Sequence, residues 1–131
     1  MKQVLRNKDK GTKLERYKKS FLHAIDGLIY TTGNEHNMAI ILPSMILAII
    51  AGILFKISPT EWLFMILVIG LVIGSELINT AIEAVVDLET LEYNPLAKIA
   101  KDTASSATLV FSIVAFIGAL IMFVPKIIVL L

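Results

Sequence analysis

Charge is absent from three long stretches of this chain, and those stretches define its elements. Asn37 to Phe55, Trp62 to Ser75 and Thr103 to Pro125 contain no Asp, Glu, Lys or Arg. A bilayer-spanning helix needs roughly 20 apolar residues, so the pattern predicts spans over 37–57, 59–88 and 95–124. The second has a marked start, because Ser58-Pro59-Thr60-Glu61 offers a capping Ser, Pro at the first helical position and Glu three residues after the cap. Asn94-Pro95 gives the third a similar one. Pro43 falls early in the first span, where a mild bend is tolerated in lipid. At 1.5 Å per residue the second span rises about 45 Å, more than the roughly 30 Å of hydrocarbon, so its end should project into the interface.

Upstream, Phe21, Leu22, Ala24, Ile25, Leu28 and Ile29 recur at helical spacing, with His23 and Asp26 between them. This predicts an amphipathic surface helix over 20–35, preceded by a basic arm over 1–19 that anionic lipid would attract. The expected fold is all-α: a polytopic membrane protein with three transmembrane helices and an N-terminal surface helix, a single unit over 1–131.

Composition supports this. Of 131 residues, 56% are hydrophobic and mean hydropathy is +0.80, too apolar for an ordinary soluble domain. The absence of cysteine excludes disulfides and thiolate metal sites. The basic arm leads into no early apolar core with a small-residue cleavage site, so it does not read as a secretory signal. Nucleic acid is not an expected partner. Charge also sets an orientation: Lys2, Arg6, Lys8, Lys10, Lys13, Arg16, Lys18 and Lys19 precede the first span, and Lys98 and Lys101 follow the second. Only Lys56 and Lys126 lie on the opposite side. The positive-inside rule then puts the amino end and the second loop in the cytoplasm of a cell-membrane protein.

The second span ends in Glu76-Leu77-Ile78-Asn79-Thr80-Ala81-Ile82-Glu83-Ala84-Val85-Val86-Asp87. At 100° per residue, Glu76, Asn79, Glu83 and Asp87 share an arc of about 80°. A carboxylate near hydrocarbon costs several kcal/mol unless it meets protein, water, a proton or a cation, so three on one face point to function. Glu83, with Glu35 at the start of the first span, could hold Mg²⁺ through carboxylate and phosphate oxygens. Glu76, about 10 Å deeper, suits a general base. Asn79 and Thr80 could equally hold helices together by hydrogen bonds. Spacing leaves metal binding, proton relay and catalysis open. No GxxxxGK[ST] or GxGxxG loop announces a nucleotide, and His23 and His36 have no nucleophile partners.

The Glu76–Asp87 segment, with Ala100-Lys101-Asp102 downstream, resembles the signature of the small integral-membrane bacterial diacylglycerol kinase family. Asn34-Glu35, Glu61-Trp62-Leu63-Phe64 and Leu96-Ala97-Lys98-Ile99-Ala100-Lys101-Asp102 resemble its undecaprenol kinase branch, and the likeness runs from about Arg16 to Lys126. It implies a homotrimer of three-span subunits that transfers the γ-phosphoryl group of MgATP to a lipid hydroxyl at the cytoplasmic interface. Undecaprenol is the expected substrate, giving undecaprenyl phosphate for cell-wall carrier recycling, and diacylglycerol is the alternative. By position, the resemblance makes Glu76 the base and Glu35 and Glu83 the metal ligands. It makes Arg16, Glu92, Tyr93, Asn94, Lys101 and Asp102 nucleotide contacts beside Glu35 and Glu83, and puts Asn79 with Glu76 at the site. Ser105, on the first membrane turns of the third span, is a candidate to meet polar groups of the lipid. A helix-end or packing role suits Asp87 as well.

Some positions depart from the family pattern. Asn94 stands where His is usual, Ser105-Ser106 replaces Ala-Gly, and His36, Ala39 and Ile41 stand where Arg, a basic residue and His are frequent. Outside the kinase class, a non-catalytic oligomeric ion or proton pathway would also carry an acidic stripe.

Overall fold

A computed structural model describes residues 11–130; Lys2, Arg6, Lys8 and Lys10 of the basic arm lie outside them. The described residues form four helices and no strand: α1 (Lys13–Asn34), α2 (Met38–Leu54), α3 (Pro59–Glu89) and α4 (Pro95–Ile128). They divide into two compact units, one ending at Asn34 and one beginning at Glu35.

The first unit is α1, which starts earlier than its apolar pattern suggested. Thr12 and Glu15 form a reciprocal capping box: the Glu15 carboxylate accepts from the Thr12 amide at 2.7 Å, and the Thr12 hydroxyl accepts from the Glu15 amide at 3.3 Å. Starting at Lys13 adds Leu14 and Tyr17 to the apolar stripe of Phe21, Ile25 and Leu28, all exposed. At its other end Thr32 donates to the Ile29 carbonyl and Asn34 to that of Tyr30.

In the second unit α2 is short. It has 17 residues and accommodates Pro43, and it stops at Leu54 because the chain turns through a left-handed residue, Lys56, at φ 49°. The Ile57 amide donates to Gly52 and the Lys56 amide to Ile53, the paired bonds of a Schellman motif in which lysine takes the place of the usual glycine. Gly52 is needed here: a Cβ on it would lie 3.0–3.2 Å from Ile57, Met65 and Trp62.

Helix α3 begins at the expected box, with the Ser58 hydroxyl accepting from the Glu61 amide and the Glu61 carboxylate from the Ser58 amide at 2.7 Å. Asn94 starts α4 by accepting from the Leu96 and Ala97 amides. The two helices pack as an antiparallel hairpin with an ion pair at each end. Lys126 meets Glu61 at 2.7 Å, and Lys101 meets Asp87 at 2.6 Å. Along α3 these pairs are about 39 Å apart, enough to bracket a hydrocarbon layer.

The core of this unit lies toward the Glu61–Lys126 end, where Ile57, Met65 and Met122 are buried under Ile49, Phe55, Trp62 and Phe123. The Phe55 and Phe123 rings stand 5.8 Å apart, tilted by 51°. Gly118 lets the Phe64 ring approach to 2.5 Å from where a Cβ would be. Lipid tails are as apolar as these side chains, so close packing rather than escape from water holds the helices together.

Among the described residues, two helices, α3 and α4, are long and apolar enough to cross a membrane, and there are up to three spans if α1 and α2 together count as one. Helix α2 alone rises about 26 Å, a few ångströms short of the hydrocarbon thickness.

Candidate active site

One face of α3 is buried from Met65 to Thr80, and its chemistry changes halfway. Met65, Val68 and Val72 are followed, at steps of three and four, by Ser75, Glu76, Asn79 and Thr80. Glu83 comes next and is half-buried; Asp87 is exposed. A single helical stripe thus runs from packing groups to ionisable ones.

The polar half is only partly satisfied. Ser75 donates to the Val72 carbonyl at 2.8 Å and Thr80 to that of Glu76 at 3.0 Å. The Asn79 amide nitrogen donates to Glu83 Oε1 at 3.3 Å. Glu76 is 0% exposed, and neither of its carboxyl oxygens has a partner; Asn79 Oδ1 and, on α4, Thr108 Oγ1 are also buried without one. Leaving such a group unpaired costs about 1–3 kcal/mol, more if charged. A carboxyl at this place is poorly suited to holding the hairpin and well suited to receiving a ligand's hydrogen.

Toward the other end of the polar stripe the charges are paired. Lys101 is tied to Asp87, so the terminal turn of α3 fixes the first turns of α4; Asp102 pairs with Lys98 on its own helix. Asp87 therefore has a definite role, as an anchor for Lys101. Between the helices Thr90 accepts from the Glu92 amide at 3.1 Å, and Glu92 and Tyr93 stand exposed on the turn. The cap occupies Asn94 Oδ1, leaving its amide N–H groups to meet a ligand. Ser106 donates to the Asp102 carbonyl at 2.7 Å, while Ser105 beside it is exposed. Glu35 is half-buried in the turn before α2, and no hydrogen bond joins it to Glu83. Arg16 is exposed on α1, in the first unit.

The carboxyl donors suit Mg²⁺ through their chemistry: they are hard oxygens, and Asn79 orients one oxygen of Glu83. Among the described residues no three His, Asp or Glu side chains form a ready cage, so Mg²⁺ held here would complete its shell with phosphate oxygens and water.

Sequence reasoning did not single out Thr108. A lone threonine in an apolar run carries no local signal; only its burial beside another helix marks it.

Residues 22–123 match the model of the prokaryotic diacylglycerol kinase family. The chain is 41% identical over 120 residues to an undecaprenol kinase of Bacillus subtilis, covering 92% of this chain and 98% of that protein. It is 38% identical over 104 residues to a diacylglycerol kinase of Helicobacter pylori, covering 79% of each. A diacylglycerol kinase of Synechocystis is 37% identical over 99 residues, 75% of this chain and 57% of its own length. The long match to the Bacillus subtilis protein supports the undecaprenol kinase branch. The chain belongs to the prokaryotic diacylglycerol kinase family and is a membrane lipid kinase.

Proposed function

We propose that this kinase transfers the γ-phosphoryl group of MgATP to the hydroxyl of undecaprenol, with Glu76 as the general base. The observation that carries the reading is the Glu76 carboxyl, fully buried with both oxygens unpartnered on the same stripe as Glu83. Glu76 takes the hydroxyl proton as the lipid oxygen bonds to the γ-phosphorus. The bond from that phosphorus to the β,γ-bridging oxygen breaks, and ADP leaves with the electron pair. Loosely bonded phosphoryl transfer of this kind depends on positioning and charge neutralisation more than on covalent help.

Glu83 and Glu35 are the carboxylates that would hold Mg²⁺, which would offset phosphate charge and align the polyphosphate when bound. Asn79 holds Glu83 in place and borders the lipid head with Ser105. Lys101, fixed by Asp87, supplies positive charge on the nucleotide side, and Glu92, Tyr93, Asn94 and Asp102 border the nucleotide. In this reading the Asp87–Lys101 end faces the cytoplasm, following the excess of Lys and Arg in the arm and second loop. A homotrimer is the assembly that the family resemblance implies, and the exposed apolar side chains of α4 leave surface for other copies and for lipid.

Diacylglycerol is the second reading, favoured by the identity shared with diacylglycerol kinases and by Ser105, whose free hydroxyl could meet an ester group. Membership of a kinase family decides against the ion-pathway reading. Purified protein in mixed micelles, given labelled ATP and each lipid in turn, tests the substrate. Higher kcat/KM with undecaprenol supports the proposal; a preference for diacylglycerol in matched micelles overturns it.

A further inference from the structure

Buried hydroxyls on this hairpin behave in two ways. Ser75 and Thr80 donate to carbonyls of their own helix, the usual resort of a hydroxyl with no water nearby. Thr108 is 5% exposed, yet its hydroxyl bonds neither its own helix nor any other group. The ion pairs at the two ends of the hairpin set a single register, because seven residues before Asp87 is Thr80 and seven residues after Lys101 is Thr108. Thr108 therefore lies level with Asn79 and Thr80, about 6 Å along the axis from Glu76 and toward the nucleotide end of the proposed site.

Among the described residues, four buried side-chain atoms lack partners: Glu76 Oε1 and Oε2, Asn79 Oδ1 and Thr108 Oγ1. Three are oxygens that accept, and Thr108 contributes an O–H donor. An alcohol needs both kinds of neighbour, since it gives one hydrogen and accepts at its lone pairs. We propose that Thr108 is a substrate-binding residue whose hydroxyl donates to the oxygen of the lipid alcohol, turning that alcohol's own hydrogen toward Glu76. One lone pair of the oxygen is then held by Thr108 while the other attacks phosphorus. This assignment rests on the lipid kinase mechanism proposed above and deepens it.

The test is steady-state kinetics of the full chain in mixed micelles, varying lipid and MgATP separately, for wild type, Thr108→Val and Thr108→Ser. Valine keeps the shape and removes the donor. The expected result is a rise of about three- to tenfold in KM for the lipid in Thr108→Val, the loss of one hydrogen bond, with KM for MgATP within about twofold of wild type. Thr108→Ser, which keeps the hydroxyl, should restore lipid KM. An unmoved lipid KM in Thr108→Val overturns the assignment, as does an equal rise in KM for MgATP. A changed oligomer size for Thr108→Val in detergent would place the hydroxyl at a subunit contact and overturn it too. Wild type that phosphorylates no lipid alcohol would bring down the mechanism itself, an outcome distinct from active protein with an indifferent Thr108.

Discussion

The two halves of the α3–α4 hairpin are built from one helical stripe and serve opposite ends. Toward Glu61 and Lys126 the stripe is Met65, Val68 and Val72, all buried, with Met65 packed with Met122 and Ile57 and close against Gly52. Near Asp87 and Lys101 it is Glu76, Asn79, Thr80 and Glu83, where buried polar atoms stand without partners. The packed half supplies the stability that lets the other half hold an unfavourable carboxyl. Substitutions at the two ends should therefore separate: those in the apolar half should change stability, and those in the polar half turnover.

The largest effect expected is on turnover. Glu76→Gln should lower kcat by about 10²- to 10⁴-fold, the usual worth of a positioned base, with KM for MgATP little changed. Initial rates in mixed micelles check this, and an equal loss of MgATP affinity would move Glu76 into the metal shell. Met65→Ala opens a cavity against Ile57 and Met122 and should destabilise the protein by about 2 kcal/mol or more. Thermal unfolding in detergent reads it, while kcat of the protein that remains folded should stay close to wild type.

Glu83→Gln keeps an oxygen for Asn79 and removes charge from the metal side. KM for MgATP should rise roughly 10- to 150-fold, the worth of a charged contact, while the helices insert as before; full activity at ordinary Mg²⁺ would remove Glu83 from the metal. The smallest effect lies back in the packed half. Lys56→Gly relieves a side chain held at φ 49° and should raise stability by up to about 1 kcal/mol, with no change in kinetics. A kinetic change in Lys56→Gly would show that the two ends are coupled.

What the sequence disclosed divides along physical lines. Local signals were legible: Ser58-Pro59-Thr60-Glu61 forms the capping box its spacing implies, Asn94-Pro95 starts α4, and the acidic stripe lies on one face of α3. The same capping motif at Thr12 and Glu15 was passed over because it lies in a charged segment, ahead of the apolar residues used to place the helix. Contacts between distant residues left no local trace. Glu61 reaches Lys126, 65 residues on, and Asp87 anchors Lys101 across the turn, neither of which periodicity can show. Burial without a partner, which distinguishes Thr108 from the other buried hydroxyls of the hairpin, depends on what two helices place side by side.

The central claim is that Glu76 is kept at a cost to stability, and the thermal midpoint of Glu76→Leu in detergent without lipid tests it most directly. Replacing an unpartnered buried carboxyl by an apolar group of similar volume should leave the midpoint equal to wild type or higher, in a protein that transfers no phosphoryl group. A midpoint lowered as far as that of Met65→Ala would contradict the account, because it would make Glu76 part of the packing that holds the hairpin together.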